Sequence, residues 1–202
     1  RASLADTIVP QPSTLAEQIV FGCYGAARWE KGSDVLQVAI RKVLEANPDI
    51  PAKFCFQWLG EFTNETGELV RLDPWLKNHS KVQVITEHFK DGGYAAQLAR
   101  TSSMILPYRS PYRLRVSRVV IEAMINGIPV IAPKGTTLFE QAEEFGEVVD
   151  CEDGSAESLA HAILDVSRRY YEIRERAIRR VDAAAQSFSV AYFRDLLCNS
   201  NS

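Results

Sequence analysis

Between residues 106 and 133 the chain gathers side chains suited to holding a multiply charged anion. Arg109, Arg113, Arg115 and Arg118 fall within ten residues. They lead into a short apolar-faced stretch that carries Glu122, then into a Val/Ile-rich run opened by Pro129. Guanidinium groups pair bidentately with phosphate oxygens, and a helix start adds unpaired N–H groups and the positive end of its dipole. The chain as a whole is slightly acidic, with 23 basic and 26 acidic side chains. The basic loop is therefore a local feature. It points to a phosphate or a similar anion and away from general nucleic-acid binding.

A second cationic turn, Gly25 to Gly32, contains Arg28 and Lys31. The elements around both turns follow from periodicity. Apolar runs rich in Val, Ile and Phe predict strands near 18–24, 52–58, 81–85, 103–107, 129–132 and 147–150. Between them, a helix is expected from Ser33, a suitable N-cap, with Val35, Leu36, Ala39, Ile40, Val43 and Leu44 on one face and a stop at Asn47-Pro48. Others are predicted at 68–77, 93–100, 117–126 (closed by Gly127) and 137–145. After them come a helix capped by Ser155, a long arginine-rich helix, and a last one after Ser189.

Such alternation implies an α/β fold, a doubly wound parallel six-stranded sheet of Rossmann-like form with additional C-terminal helices. Ligands in these sheets bind beyond the carboxyl ends of the strands, where strand order reverses. With the order 3-2-1-4-5-6, that crevice lies between strands one and four. The turn carrying Lys31 and the arginine loop then meet at one edge.

Length and composition indicate one domain, 18–198, preceded by a linker at 1–17 and followed by a tail at 199–202. Cys23, Cys55, Cys151 and Cys198 include no C-x-x-C pair. Buried reduced thiols in a cytoplasmic setting are expected. His79, His88 and His161 lack ligand spacing, so no metal site is expected. A dinucleotide fold would use Glu61 after strand two, but Gly22 to Ala27 does not form G-x-G-x-x-G. The arginines from Arg168 to Arg180 interleave with Glu172 and Glu175 and read first as an exposed helix face. Peripheral membrane contact is their second reading, weakened by the mixed charge. Trp29, Glu87 and Phe89 lie where a phosphate or nucleobase could be met.

The ordered set Gly25, Lys31-Gly32, Asp34, Leu106-Pro107-Tyr108, Glu122-Ala123, Gly127 and Pro129-Val130 resembles the C-terminal nucleotide-sugar-binding domain of retaining GT-B glycosyltransferases. The likeness runs from about residue 19 to 193. It implies transfer of a sugar from a UDP- or GDP-sugar to a carbohydrate or other acceptor, held by an N-terminal domain, without metal or cofactor. On this resemblance Lys31 and Glu122 are the catalytic pair. Lys31 would neutralise the diphosphate and Glu122 would accept the ribose hydroxyls. Gly25, Arg28, Arg113, Ser117, Arg118, Val119, Thr136 and Thr137 would bind the donor. Two positions depart from the pattern: Leu114 stands where the first Glu of Glu-x7-Glu is expected, and Ala26 where an arginine is. The alternatives are a degenerate, non-catalytic domain and a sugar-nucleotide epimerase of the same architecture.

Overall fold

Strands covered on both faces send alternate side chains to opposite layers, and each layer needs its own helices. The computed structural model describes residues 18–110 and 114–189. Its strands are β1 (Ile19–Cys23), β2 (Ala52–Gln57), β3 (Phe62–Thr63), β4 (Leu69–Val70), β5 (Val82–Ile85), β6 (Ser103–Ile105), β7 (Val130–Pro133) and β8 (Val148–Cys151). The helices are α1 (Ser33–Ala46), α2 (Pro74–Lys77), α3 (Gly93–Leu98), α4 (Arg118–Ile125), α5 (Thr137–Phe145), α6 (Ala156–Arg179) and α7 (Val181–Ser187), with a 3-10 turn at Trp29–Lys31. The expected 1–17 linker, Arg113 and the helix after Ser189 lie outside the described residues.

Six strands pair in parallel in the order β5-β2-β1-β6-β7-β8. This is the 3-2-1-4-5-6 arrangement expected from the alternation. Phe21, Phe54, Phe56, Ile105 and Ile131 face α1 and α6, where they meet Leu36, Ile40, Leu159 and Ile163. The intervening residues Cys55, Met104, Val130 and Ala132 face the other way, onto Val120 and Met124 of α4 and Leu138 of α5. Full burial of such side chains stabilises by about 1.5–3 kcal/mol each. The two layers hold the sheet edge that carries the site. Among the described residues, no helix is long and apolar enough to cross a membrane.

Three expectations change. Residues 68–77 do not form one helix, because Leu69–Val70 pairs with Phe62–Thr63 in an antiparallel hairpin. Asn64 organises its turn by accepting from the N–H groups of Thr66 and Glu68 (3.0 and 2.8 Å). Helix α2 starts only at Pro74, which cannot occupy a helix interior, and Asp73 caps it by accepting from Trp75 N–H. Ser33 is the first residue of α1 rather than its cap, because its hydroxyl accepts from Arg28 N–H instead (3.0 Å). Lastly, the helix capped by Ser155 and the arginine-rich helix run together as α6, bent at Arg169 (φ −112, ψ 19).

Candidate functional site

The chain leaves β1 through Tyr24 and Gly25. The Tyr24 ring is fully packed, and its hydroxyl hydrogen-bonds to Thr101 Oγ1 (2.7 Å). The N–H of Gly25 donates to Gln57 Oε1 (2.7 Å) at the end of β2, and Gln57 Nε2 donates to the carbonyl of Glu87 (3.1 Å). One buried amide thus ties together the exits of β1, β2 and β5. Gly25 has φ +106, and a Cβ there would lie 2.5 Å from Lys31 Nζ. A side chain would strain the turn and displace the lysine.

The turn at Trp29–Lys31 is joined to the loop after β6. Gly32 (φ +64) approaches Pro107 so closely that a Cβ would sit 2.0 Å from its carbonyl oxygen. Arg109 completes the joint. Its N–H donates to Glu30 O (2.9 Å), and its guanidinium donates to Trp29 O (2.8 Å) and both carboxylate oxygens of Asp34 (2.7 and 2.8 Å). The guanidinium also lies over the Trp29 ring, 5.0 Å from its centroid. Arg109 is therefore committed within the protein, and its role is to hold the two cationic turns together.

Helix α4 begins at Arg118, which lines one cleft with Lys31 of the first turn. Ser117 is its N-cap by backbone geometry, but its hydroxyl makes no capping hydrogen bond. No side-chain cap competes with an anion at this helix start. One turn on, Glu122 accepts from Arg118 Nε (2.6 Å) and from the Tyr94 hydroxyl of α3 (2.7 Å). Burial first, and then the Glu122 carboxylate, hold the Tyr94 phenol above its usual range, so it remains a donor.

These elements enclose a cleft of about 290 Å³ at the carboxyl ends of the strands, where strand order reverses between β1 and β6. The β1 turn supplies Tyr24, Gly25 and Lys31, β2 supplies Gln57, α3 supplies Tyr94, and α4 supplies Arg118, Val119 and Glu122. Among the described residues, Lys31 pairs with no carboxylate; its Nζ lies 5.6 Å from the centroid of the Tyr108 ring. A larger hollow of about 680 Å³ lies between α5, β8 and the end of α6. Its arginines are engaged within the protein: Arg176 with Glu147 and Glu172, Arg179 with Glu175, and Arg180 with the carbonyls of Glu143 and Gly146.

Of the residues proposed from sequence, Gly25, Lys31, Arg118, Val119 and Glu122 meet in the smaller cleft. Ser117 does not line it but caps α4 immediately before Arg118, which does. Arg28 is exposed and does not line it. Thr136 is buried and turned inward: its hydroxyl donates to Pro133 O (2.7 Å) and accepts from Phe139 N–H (3.2 Å), which caps α5. Thr137, in the first turn of α5, is likewise not part of the lining. Arg113 lies outside the described residues. Glu61 pairs with Arg71 (3.0 Å), and Phe89 packs against Tyr24 and Tyr94.

Gln57, Tyr24 and Tyr94 escaped the sequence reading. A lone amide closing the Ala52–Gln57 run was the available signal for Gln57. Tyr94, in a short glycine-led helix, gave none.

Residues 18–169 match the model of a family described as glycosyl transferases group 1. No curated protein sequence matches the chain. Among solved structures, Anabaena Alr3699/HepE in complex with UDP-glucose superposes with a TM-score of 0.65 at 17% identity, covering 91% of this chain and 48% of that one. Sucrose-phosphate synthase from Thermosynechococcus elongatus gives 0.56 at 18%, covering 92% and 47%. The C-terminal domain of LpcC, a glycosyl transferase group 1 family protein from Francisella tularensis, gives 0.60 at 17%, covering 86% and 88%. The chain thus spans about half the length of the first two and most of the isolated domain. At these identities the likeness carries the fold, that of a GT-B C-terminal domain. With the family match extending over well more than half of its length, the chain belongs to the glycosyl transferases group 1 family.

Proposed function

We propose that this chain is the donor-binding domain of a metal-independent glycosyltransferase that uses a UDP- or GDP-sugar. The observation that carries it is the meeting of Lys31 with the start of α4 and Glu122 in one cleft. In this reading the Lys31 ammonium neutralises the diphosphate and stabilises it as a leaving group. The N–H groups at the start of α4 hold the distal phosphate, with Arg118 beside them. Glu122 accepts from the ribose hydroxyls. Alr3699/HepE, of the same fold, is seen in complex with UDP-glucose and with UDP, which supports a nucleotide-sugar ligand. Acceptor recognition is assigned to a further domain, so the 202-residue chain alone binds donor and turns over poorly.

Isothermal titration with UDP, GDP and their sugar conjugates tests this reading. Micromolar-to-millimolar binding is expected for one base. Loss of the Lys31 cation should weaken it by about 10- to 100-fold in Lys31→Ala, as for a charge-assisted contact worth ~1.5–3 kcal/mol. Glu122→Ala should weaken it less. A chain indifferent to every nucleoside diphosphate in the panel would overturn the proposal in favour of a scaffold.

A further inference from the structure

We infer that Tyr94 is a positioning residue for Glu122, and that its hydroxyl sets how strongly the cleft prefers ribo- over 2′-deoxyribonucleoside diphosphates. The inference rests on the donor-binding reading above and goes beyond it to a residue on a different element.

Two groups hold the Glu122 carboxylate, and they are not equivalent. Arg118 lies one turn back on the same helix, and its side chain is 87% exposed. An exposed i,i+4 pair of this kind contributes only a few tenths of a kcal/mol, so it exchanges readily with water or with an arriving phosphate. Tyr94 comes from α3, which follows a different strand, and reaches Glu122 Oε2 at 2.7 Å. Its ring is held by Tyr24 and Phe89, with centroids 6.0 and 5.7 Å away. The Tyr24 partner is itself anchored through its hydroxyl to Thr101 (2.7 Å). The phenol is thus clamped on two sides and donates in one direction.

The remaining acceptor capacity fits a ribose. An ionised carboxylate offers about four lone-pair sites. Tyr94 and Arg118 take two of them, which leaves room for the two hydroxyls of a cis-diol. The Glu122 side chain is 16% exposed, so it is reachable from the cleft side only in part. Without the Tyr94 hydroxyl, the carboxylate is free to follow Arg118, and the acceptors meant for the diol lose their direction.

The test is Tyr94→Phe, which keeps the ring and its packing. Calorimetry with UDP against 2′-deoxy-UDP, and GDP against 2′-deoxy-GDP, gives an affinity ratio for each protein. For wild type a ratio of about 10 is expected, the worth of one hydrogen bond to a charged acceptor. In Tyr94→Phe the ratio should fall to about 2 or less, with affinity for the deoxynucleotide changed less than about twofold. The ratio is a property of the folded fraction, so a lowered melting temperature does not mimic the effect. A variant that keeps the wild-type ratio, or loses both ligands equally, overturns the inference while the donor-binding reading stands. A wild type that binds no nucleotide defeats both.

Discussion

Gln57 ends β2 with 7% of its surface exposed, and both ends of its amide are engaged. It fixes the height of Gly25, and Gly25 in turn leaves room for the Lys31 ammonium. The same logic makes Gly25→Ala informative. The new methyl would strain a φ of +106 and crowd Lys31 Nζ at 2.5 Å. The far end of a lysine moves easily, so the expected cost in stability is about 1–2 kcal/mol. Displacement of the ammonium should lower nucleotide affinity nearly as far as Lys31→Ala. Thermal melts and titration calorimetry on the one variant separate the two effects.

Among elements, the parallel sheet and its order were readable, because strands buried on both faces give unbroken Val/Ile/Phe runs and crossover helices give the 3.6-residue period. The meeting of the Lys31 turn with the arginine segment followed from that order, whereas Val119 and Glu122 were legible only through the family resemblance. The β3–β4 hairpin was not readable, since its turn is organised by one asparagine side chain, and two-residue strands leave no periodic trace. The structural role of Arg109 was hidden for a related reason. Its position in a basic run suggested a ligand, while its partner Asp34 lies 75 residues away in sequence. Neutralising Asp34 should therefore act on the joint. Asp34→Ala leaves a mostly buried guanidinium short of its acceptor and is expected to cost about 1–3 kcal/mol. A lower urea midpoint at unchanged m-value is the measurement that checks it.

For the whole molecule, the two apolar layers dominate stability, and they also set its alkaline limit. Burial pushes the Cys55 thiol up to about 11 and the Cys151 thiol up to about 12, the latter with help from Asp150 and Asp153. Below the unfolded thiol range of ~8.5, neither state ionises and stability is unaffected. As pH rises beyond it, only the unfolded chain releases these protons. Stability then falls by up to ~1.4 kcal/mol per pH unit for each thiol, until the folded values are reached. Tyr24 and Tyr94, held above the ordinary phenol range chiefly by burial, act in the same direction at higher pH. Melting temperatures from pH 8 to about 10.5 should decline more gently in Cys55→Ala and Cys151→Ala than in wild type. An identical slope would show that the thiols contribute nothing.

The contact of Gly32 with Pro107, closed by Arg109, makes the two turns a single unit of exchange. A chimera that takes the 25–32 turn from a related enzyme while keeping the native 107–110 segment would pair surfaces that never fitted one another. Grafting both segments together carries the joint intact. Altered donor preference is best sought by moving the pair, because either piece alone brings half a hinge.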